Sequence, residues 1–562
     1  MNRLSSPISE LKDRYDIIVI GSGYGGSITA SRMARAGKKV CLLERGKEFQ
    51  PGDFPKTFGE SSAMTQIDTA DFHLGRKTSL FDVRVNAQVN VVQGCGLGGT
   101  SLINANVGME PDPTVFADPA WPAGLRNDRK GLDEGYAKAK AMLRPVPYPN
   151  GKPMPAKAQS MKTAADGIGE GDKWSYAPVY VNFDIDGPNH VGVEQKPCIA
   201  CGECCAGCNY EAKNTTVMNY LPDARTHGAE IYTQVNVRYV EKQGETWLVH
   251  YNYFETGDED FDAPTRFISA DIVVLAAGTL GSTELLLRSA QNGLPVSALT
   301  GRHFSGNGDF LAFAYNNDPR ANSIGIGTRT VDPADPIGAT ISSIIDLRDA
   351  DDPDNGMVVE EGVVPGFIAH AFKDLISIAA PLEGKDTAPG VVEKIKKGER
   401  ALDSDFRGPY HGATNHTLTF LVLTHDNDHG QLLLENDRLR IEWPGAGQQP
   451  IFEKVNQKLL DLTTTLKGVY TRNPIWTKLF GHDLVTVHPL GGCIMGNDAG
   501  SGVVNHKGQV FTGKDDGAVY EGLYISDGSI VPRTLGINPY FTISALAERN
   551  CTYMAADRGW PS

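Results

Sequence analysis

Apolar and polar positions along this chain fall into blocks whose period switches. Residues 17–20 (Ile-Ile-Val-Ile) form a run of β-branched apolar side chains, the pattern of a buried parallel strand. Residues 27–36 then read as a helix of mostly good helix formers, ended by Gly37. Residues 40–43 predict a second strand that closes at Glu44, so the first blocks make one βαβ unit. Asp271-Ile-Val-Val-Leu-Ala-Ala-Gly278 repeats the strand-then-glycine order, and residues 282–288 predict the helix behind it. Residues 247–253 predict a strand running into an acidic hairpin tip at 257–262. The proline-dense stretch 145–155, the turn signature at 316–320 and the acidic run 349–355 mark loops.

Glycines at the end of the first strand turn this pattern into chemistry. Tyr15-Asp-Ile-Ile-Val-Ile-Gly21-Ser22-Gly23-Tyr-Gly25-Gly26 fits G-x-G-x-x-G through Gly21, Gly23 and Gly26. The first glycine permits a tight turn, the second lets backbone approach a pyrophosphate, and the third lets helix pack on strand. The phosphates then meet unpaired N–H groups at a helix N-terminus. Glu44 stands at the offset of about 20 residues where a carboxylate accepts ribose hydroxyls, which argues against a 2′-phosphate and so against NADP. NAD and FAD both remain open on this motif alone.

Composition narrows the remaining classes. A chain of 562 residues exceeds one ordinary core, so two or more domains are expected. The net charge of −15 argues against nucleic acid as a partner and disfavours anionic lipid. No apolar stretch is long enough to span a bilayer, and residues 1–10 lack the apolar core of a secretory signal, which predicts a cytoplasmic protein. Oligomeric state leaves no signal. Five of nine cysteines lie between Cys198 and Cys208, a poor disulfide framework. Cys198, Cys201, Cys204 and Cys208 follow C-x2-C-x2-C-x3-C, the ferredoxin spacing for an iron–sulfur cluster. Asn209 replaces the proline that follows in ferredoxins, and no second motif exists, so a compact thiol-rich loop stands beside the cluster reading.

Further segments along the chain carry a resemblance. Gly94-Cys-Gly-Leu-Gly98-Gly99-Thr100-Ser-Leu-Ile-Asn104 resembles the second glycine motif of the glucose–methanol–choline (GMC) oxidoreductases, which bind FAD. Residues 271–284 resemble that family's later motif beside the cofactor, with Gly278 in it, and Val235 and Val237 would then lie near the adenine. His488-Pro-Leu-Gly-Gly and Gly536-Ile-Asn538-Pro resemble the cholesterol oxidase branch, in which a His and an Asn face the flavin. Asp527 and Gly528 resemble the residues that fix the flavin's ribityl or phosphate region. The likeness runs from about residue 15 to residue 550.

The resemblance implies an FAD-dependent enzyme that moves hydride from a hydroxyl-bearing carbon of an apolar, sterol-like alcohol to flavin, giving a ketone or aldehyde. His488 would exchange the hydroxyl proton, and the Asn538 amide would hold the substrate oxygen. That branch also uses a glutamate as base. Val358-Val-Glu360-Glu361-Gly offers two, and if the segment is a strand only one faces the cavity; Glu361 is chosen. Electrons would pass to molecular oxygen or to an external electron acceptor. Two alternatives remain: an alcohol or sugar dehydrogenase relaying electrons through the cysteine loop to an external acceptor, and a non-catalytic flavin redox partner. Phe304, Phe310, Phe313, Phe367 and Phe372 are candidates for the pocket wall, and Cys95 for a flavin attachment point, against a packed thiol. The cofactor signals come early, in the middle and late. They predict a discontinuous α/β, Rossmann-type FAD domain at 10–115, 210–312 and 483–562. A sheet-based substrate domain would take 116–209 and 313–482, with the cysteine loop at the boundary.

Overall fold

The first strand predicted from β-branched residues is longer than its apolar run: β1 spans Arg14–Ile20. It leads through the glycines into α1 (Tyr24–Arg35) and β2 (Val40–Leu43). The helix starts three residues earlier than its helix formers suggest, because Gly25 and Gly26 form its first turn. Further on come β3 (Val89–Gly94), β4 (Glu230–Tyr232), β5 (Val235–Gln243), β6 (Thr246–Tyr253) and β7 (Arg266–Leu275). Then follow α2 (Gly278–Gln291), β8 (Phe310–Tyr315), β9 (Ser343–Leu347), β10 (Met357–Gly362), α3 (Ala369–Glu383) and α4 (Val391–Arg407). The chain ends with β11 (Leu418–Leu423), β12 (Val469–Arg472), β13 (Leu484–Thr486), β14 (Val519–Ile525) and α5 (Tyr540–Asp557). This computed structural model describes residues 3–256, 265–388, 390–473, 476, 482–514 and 517–561, so the acidic tip at 257–262 lies outside the described residues.

Two large sheets organise the molecule. In the first, β4, β2, β1 and β7 are parallel neighbours, and β14 continues the parallel edge beside the last residues of β7. The first half of β7 pairs instead with β6, antiparallel, and β6 with β5. Ile17, Ile18 and Val19 are fully buried, as expected of a parallel strand covered on both faces. The fold is α/β of Rossmann type, and strands far apart in the chain share this one sheet.

The second sheet has seven strands in the order Lys385–Asp386, β12, β8, β11, β10, β9 and Trp174–Tyr176, all antiparallel. One face packs on a core that includes Phe420, Val422, Val359 and Ile345. The other face turns Leu311, Phe313, Glu360, Thr419 and Leu421 towards the end of the first sheet. A smaller sheet, in which β3 pairs in parallel with β13, brings the segment before His488 alongside the second glycine loop.

Candidate active site

A cavity of about 890 Å³ lies between the carboxyl ends of β1, β2 and β7 and the open face of the antiparallel sheet. Gly21, Ser22, Gly23, Gly25, Glu44, Gly99, Thr100, Asn104, Val237, Gly278, Asp527 and Gly528 all line it, as do His488 and Asn538. Gly26 and Gly98 do not. A Cβ on Gly26 would sit 2.0 Å from the Gly21 carbonyl oxygen, so that glycine serves helix–strand contact. Gly98 turns the second loop in a left-handed conformation (φ 111°).

The cradle fits a dinucleotide. A Cβ added to Gly23 or to Gly278 would meet nothing within 4 Å, so both backbones face open space in the cavity. The buried Asn104 Oδ1 and Asn106 Nδ2 line it with no partner of their own. Glu44 is buried and accepts from the Ser22 N–H, the Ser22 hydroxyl and the Gly46 N–H, and its burial raises its pKa. Asp527 accepts from Gly278 N–H (3.0 Å), Ser282 Oγ and Ser529 N–H, which locks the β7–α2 turn to the strand end of β14. Gly25→Ala is expected to abolish soluble, flavin-containing protein, because the new Cβ would lie 1.5 Å from the Ser526 carbonyl oxygen. Gly23→Ala should fold with a near-normal Tm but bind FAD at least about 10-fold more weakly. Thermal melts and the flavin-to-protein absorbance ratio separate the two.

At the other end of the cavity one turn organises the reacting groups. Asp426, buried, accepts from Ser305 Oγ (2.7 Å), Gly306 N–H (3.0 Å) and Gly308 N–H (2.8 Å), and burial pushes its pKa up to about 7. Within that turn Asn307 donates to the Ile537 carbonyl and accepts from the Leu535 N–H, fixing the backbone that presents Asn538. Asp309, the next residue but one, accepts from Nδ1–H of His488 at 2.7 Å through one oxygen. Its other oxygen accepts from Val487 N–H and Thr486 Oγ1, both at 2.8 Å. With Nδ1 carrying the proton, Nε2 is the ring's free acceptor.

The adjacent glutamates separate as strand alternation requires. Glu360 lines the cavity, fully buried, with Oε1 unpartnered and the equally unpartnered Asn538 Oδ1 nearby. Burial raises its pKa to about 8, opposed by the Asn538 amide and reinforced by Asp309. Glu361 faces the other side of the sheet, where Lys157 Nζ donates to it at 2.5 Å and the Ser342 and Ser343 N–H groups at 3.0 and 2.8 Å. The choice of Glu361 is therefore corrected to Glu360: register in β10, not the residue type, decides which acid sees the cavity. Phe310, Phe313, Phe367 and Phe372 line the cavity, whereas Phe304 is buried edge-on against Trp443.

The chain matches the family described as GMC oxidoreductase over residues 15–298, half of its length, and again over 456–547. It belongs to the GMC oxidoreductase family. It is 28% identical to a cholesterol oxidase of Mycobacterium tuberculosis (strain ATCC 25618 / H37Rv), covering 96% of this chain and 91% of that one. To a cholesterol oxidase of Acinetobacter baumannii it is 26% identical, over 96% and 94% of the two chains. Among solved structures it resembles pyridoxine 4-oxidase from Mesorbium loti, with a TM-score of 0.59 and 19% identity over 96% and 99% of the chains. As a GMC oxidoreductase it binds FAD and oxidises CH–OH groups of alcohols.

Two features of this GMC site escaped the sequence. Asp309 stands in an unremarked glycine-rich turn, and its partner lies 179 residues away. Lys213, inside the Glu211-Ala-Lys-Asn-Thr segment, is buried and donates to the carbonyls of Leu102, Asn104 and Cys204. It ties the flavin-side loop to the cysteine loop, and burial brings its pKa down to about 8.

The iron–sulfur expectation does not fit the geometry. Among the described residues no three His, Cys, Asp or Glu side chains stand in position to hold a metal ion. Cys198 Sγ instead accepts from the Ala200 N–H, Cys201 packs with Ile326, Ile337 and Val363, and the Cys204 backbone is held by Thr340 and Lys213. Cys198, Cys201, Cys204 and Cys208 all lie outside the cavity wall, and of this loop's five cysteines Cys205 alone reaches it. Cys95 lines the cavity as a buried thiol, its pKa raised to about 11 by burial.

Proposed function

We propose that this enzyme oxidises the secondary hydroxyl of an apolar, sterol-like alcohol to a ketone. The observation that carries the reading is the convergence of His488, Asn538 and Glu360 on a stretch of cavity whose wall includes the apolar Phe313, Phe367, Leu311 and Leu421. Such a wall suits a rigid hydrocarbon held by a few polar anchors. Relatives named as cholesterol oxidases support the same class.

His488 Nε2 takes the hydroxyl proton, and Asp309 steadies the imidazolium that forms. The Asn538 amide donates to the substrate oxygen and holds the C–H bond in line. Bound FAD supplies the two-electron acceptor. Glu360, whose carboxyl exchanges protons near pH 8, takes a proton from the carbon beside the new carbonyl and returns it further along, shifting a double bond. Oxidase relatives favour molecular oxygen over a separate acceptor as the final oxidant.

An anaerobic absorbance titration with a 3β-hydroxy-5-ene steroid tests the assignment. The flavin bands are expected to bleach within the mixing time and to recover with peroxide on admitting air. An unbleached flavin that responds to short linear or aromatic alcohols would replace the sterol class with another alcohol.

A further inference from the structure

The surface beside the cavity mouth is built the wrong way round for water. α4 packs inwards with Lys397 and Ser404, its buried residues, while Val391, Ile395, Leu402 and Phe406 lie on its opposite side. These four recur at helical spacing along one stripe. Phe406 is 86% exposed. The neighbouring α3 buries Ala369, Phe372, Ile376 and Ala380 in the fold and points Leu375, Ile378 and Leu382 outwards, Leu382 being 77% exposed. An ion pair between Lys373 and Asp405 (3.4 Å) joins the two helices, and Ala401 of α4 packs on the core of α3. A scatter of single exposed apolar residues needs no explanation, but two adjoining outward apolar stripes do.

We infer that the joint α3–α4 face docks on the headgroup region of a zwitterionic lipid bilayer. An interfacial helix needs an outward apolar stripe with cations beside it that can reach the phosphates. Lys394 and Lys396, both exposed, flank the α4 stripe on either side. Residues 369–407 contain seven Lys/Arg and seven Asp/Glu, so this segment is neutral in a chain of net charge −15. Neutrality removes the repulsion that the rest of the surface would meet and sets no demand for anionic lipid.

Continuity with the cavity favours lipid over a second copy of the chain. Phe367, Ile368, Phe372 and Leu375 all line the cavity, and Leu375 is also among the exposed residues of α3. A rigid partner seated there would cap the mouth, whereas a fluid bilayer would leave it open to an apolar molecule. That use as a delivery route rests on the substrate class proposed above; the docking itself does not.

Flotation of the flavin-loaded enzyme with phosphatidylcholine vesicles is the test, beside sedimentation velocity without vesicles. Wild type should float with the vesicles and sediment alone as one species. Ile395→Asp/Phe406→Asp, and separately Ile378→Asp, should lower the floated fraction at least 10-fold with flavin content and Tm unchanged. No flotation of wild type, or equal flotation of folded variants, would overturn the inference. So would a wild-type dimer that the substitutions split, which would assign the face to a second copy. Flotation requires no turnover, so failure of the sterol assignment leaves this result readable.

Discussion

Asp309→Asn is expected to slow alcohol oxidation by about 10²- to 10⁴-fold while KM and flavin content stay near wild type. The size follows from which atoms must donate. In the native site one Asp309 oxygen accepts from the Val487 N–H and the other from Nδ1–H of His488. An amide has only one oxygen, and the Val487 N–H is a donor that cannot be reversed. The substituted amide would therefore place its oxygen towards Val487 and its NH2 towards His488. Nδ1 becomes the acceptor, the ring proton moves to Nε2, and the atom facing the substrate can no longer take the hydroxyl proton. The part-buried carboxylate that steadies the imidazolium is lost as well. His488→Ala should fall at least as far, and combining the two should add little, because both remove one function. A folded Asp309→Asn enzyme turning over within about twofold of wild type would reject this role.

Glu360→Gln is expected to leave ketone formation measurable but to slow the double-bond shift by about 10³-fold or more, read as loss of conjugated-enone absorbance. In wild type the shift should quicken as pH rises through about 8, where the carboxyl ionises, and the variant should lack that limb. Stability should move the opposite way. The folded carboxyl holds its proton up to about pH 8 and the unfolded one only to about 4.3, so wild type loses stability as pH rises between these values. Gln, which cannot ionise, should thus raise Tm over wild type by a few degrees at about pH 9 and leave it unchanged at about pH 4. Glu361→Gln supplies the contrast. Removing its charge strands Lys157 in the interior, a loss of about 3–5 kcal/mol of stability with no defined change in the double-bond shift of the folded fraction. If Glu361→Gln, once folded, lost the shift and Glu360→Gln kept it, the two assignments would exchange.

The sequence alone determined those parts whose chemistry is local. The βαβ unit, the glycine turn and Glu44 lie within about thirty consecutive residues, where spacing fixes geometry. Gly94 to Asn104, His488 and Asn538 were legible because each sits inside a short run that defines its own turn, and all three runs meet at one cavity. The ferredoxin spacing of the cysteines was equally local, yet among the described residues no three such side chains stand in position to hold a metal ion. Spacing along a chain states what thiols can reach, while packing states what they do reach.

Only the tertiary structure decided the rest. Glu360 and Glu361 are identical in type and adjacent, and the pairing of β10 with β11 settles which one faces the cavity. Asp309 acquires its role from a contact 179 residues distant. The stripes of α3 and α4 are readable as helical periodicity, but periodicity does not say which side of a helix the fold will bury. Local order follows from backbone sterics and hydrogen bonding within a few residues. Register, burial and partnership are set when distant segments compete for the same neighbours, and that competition is resolved only in the folded chain.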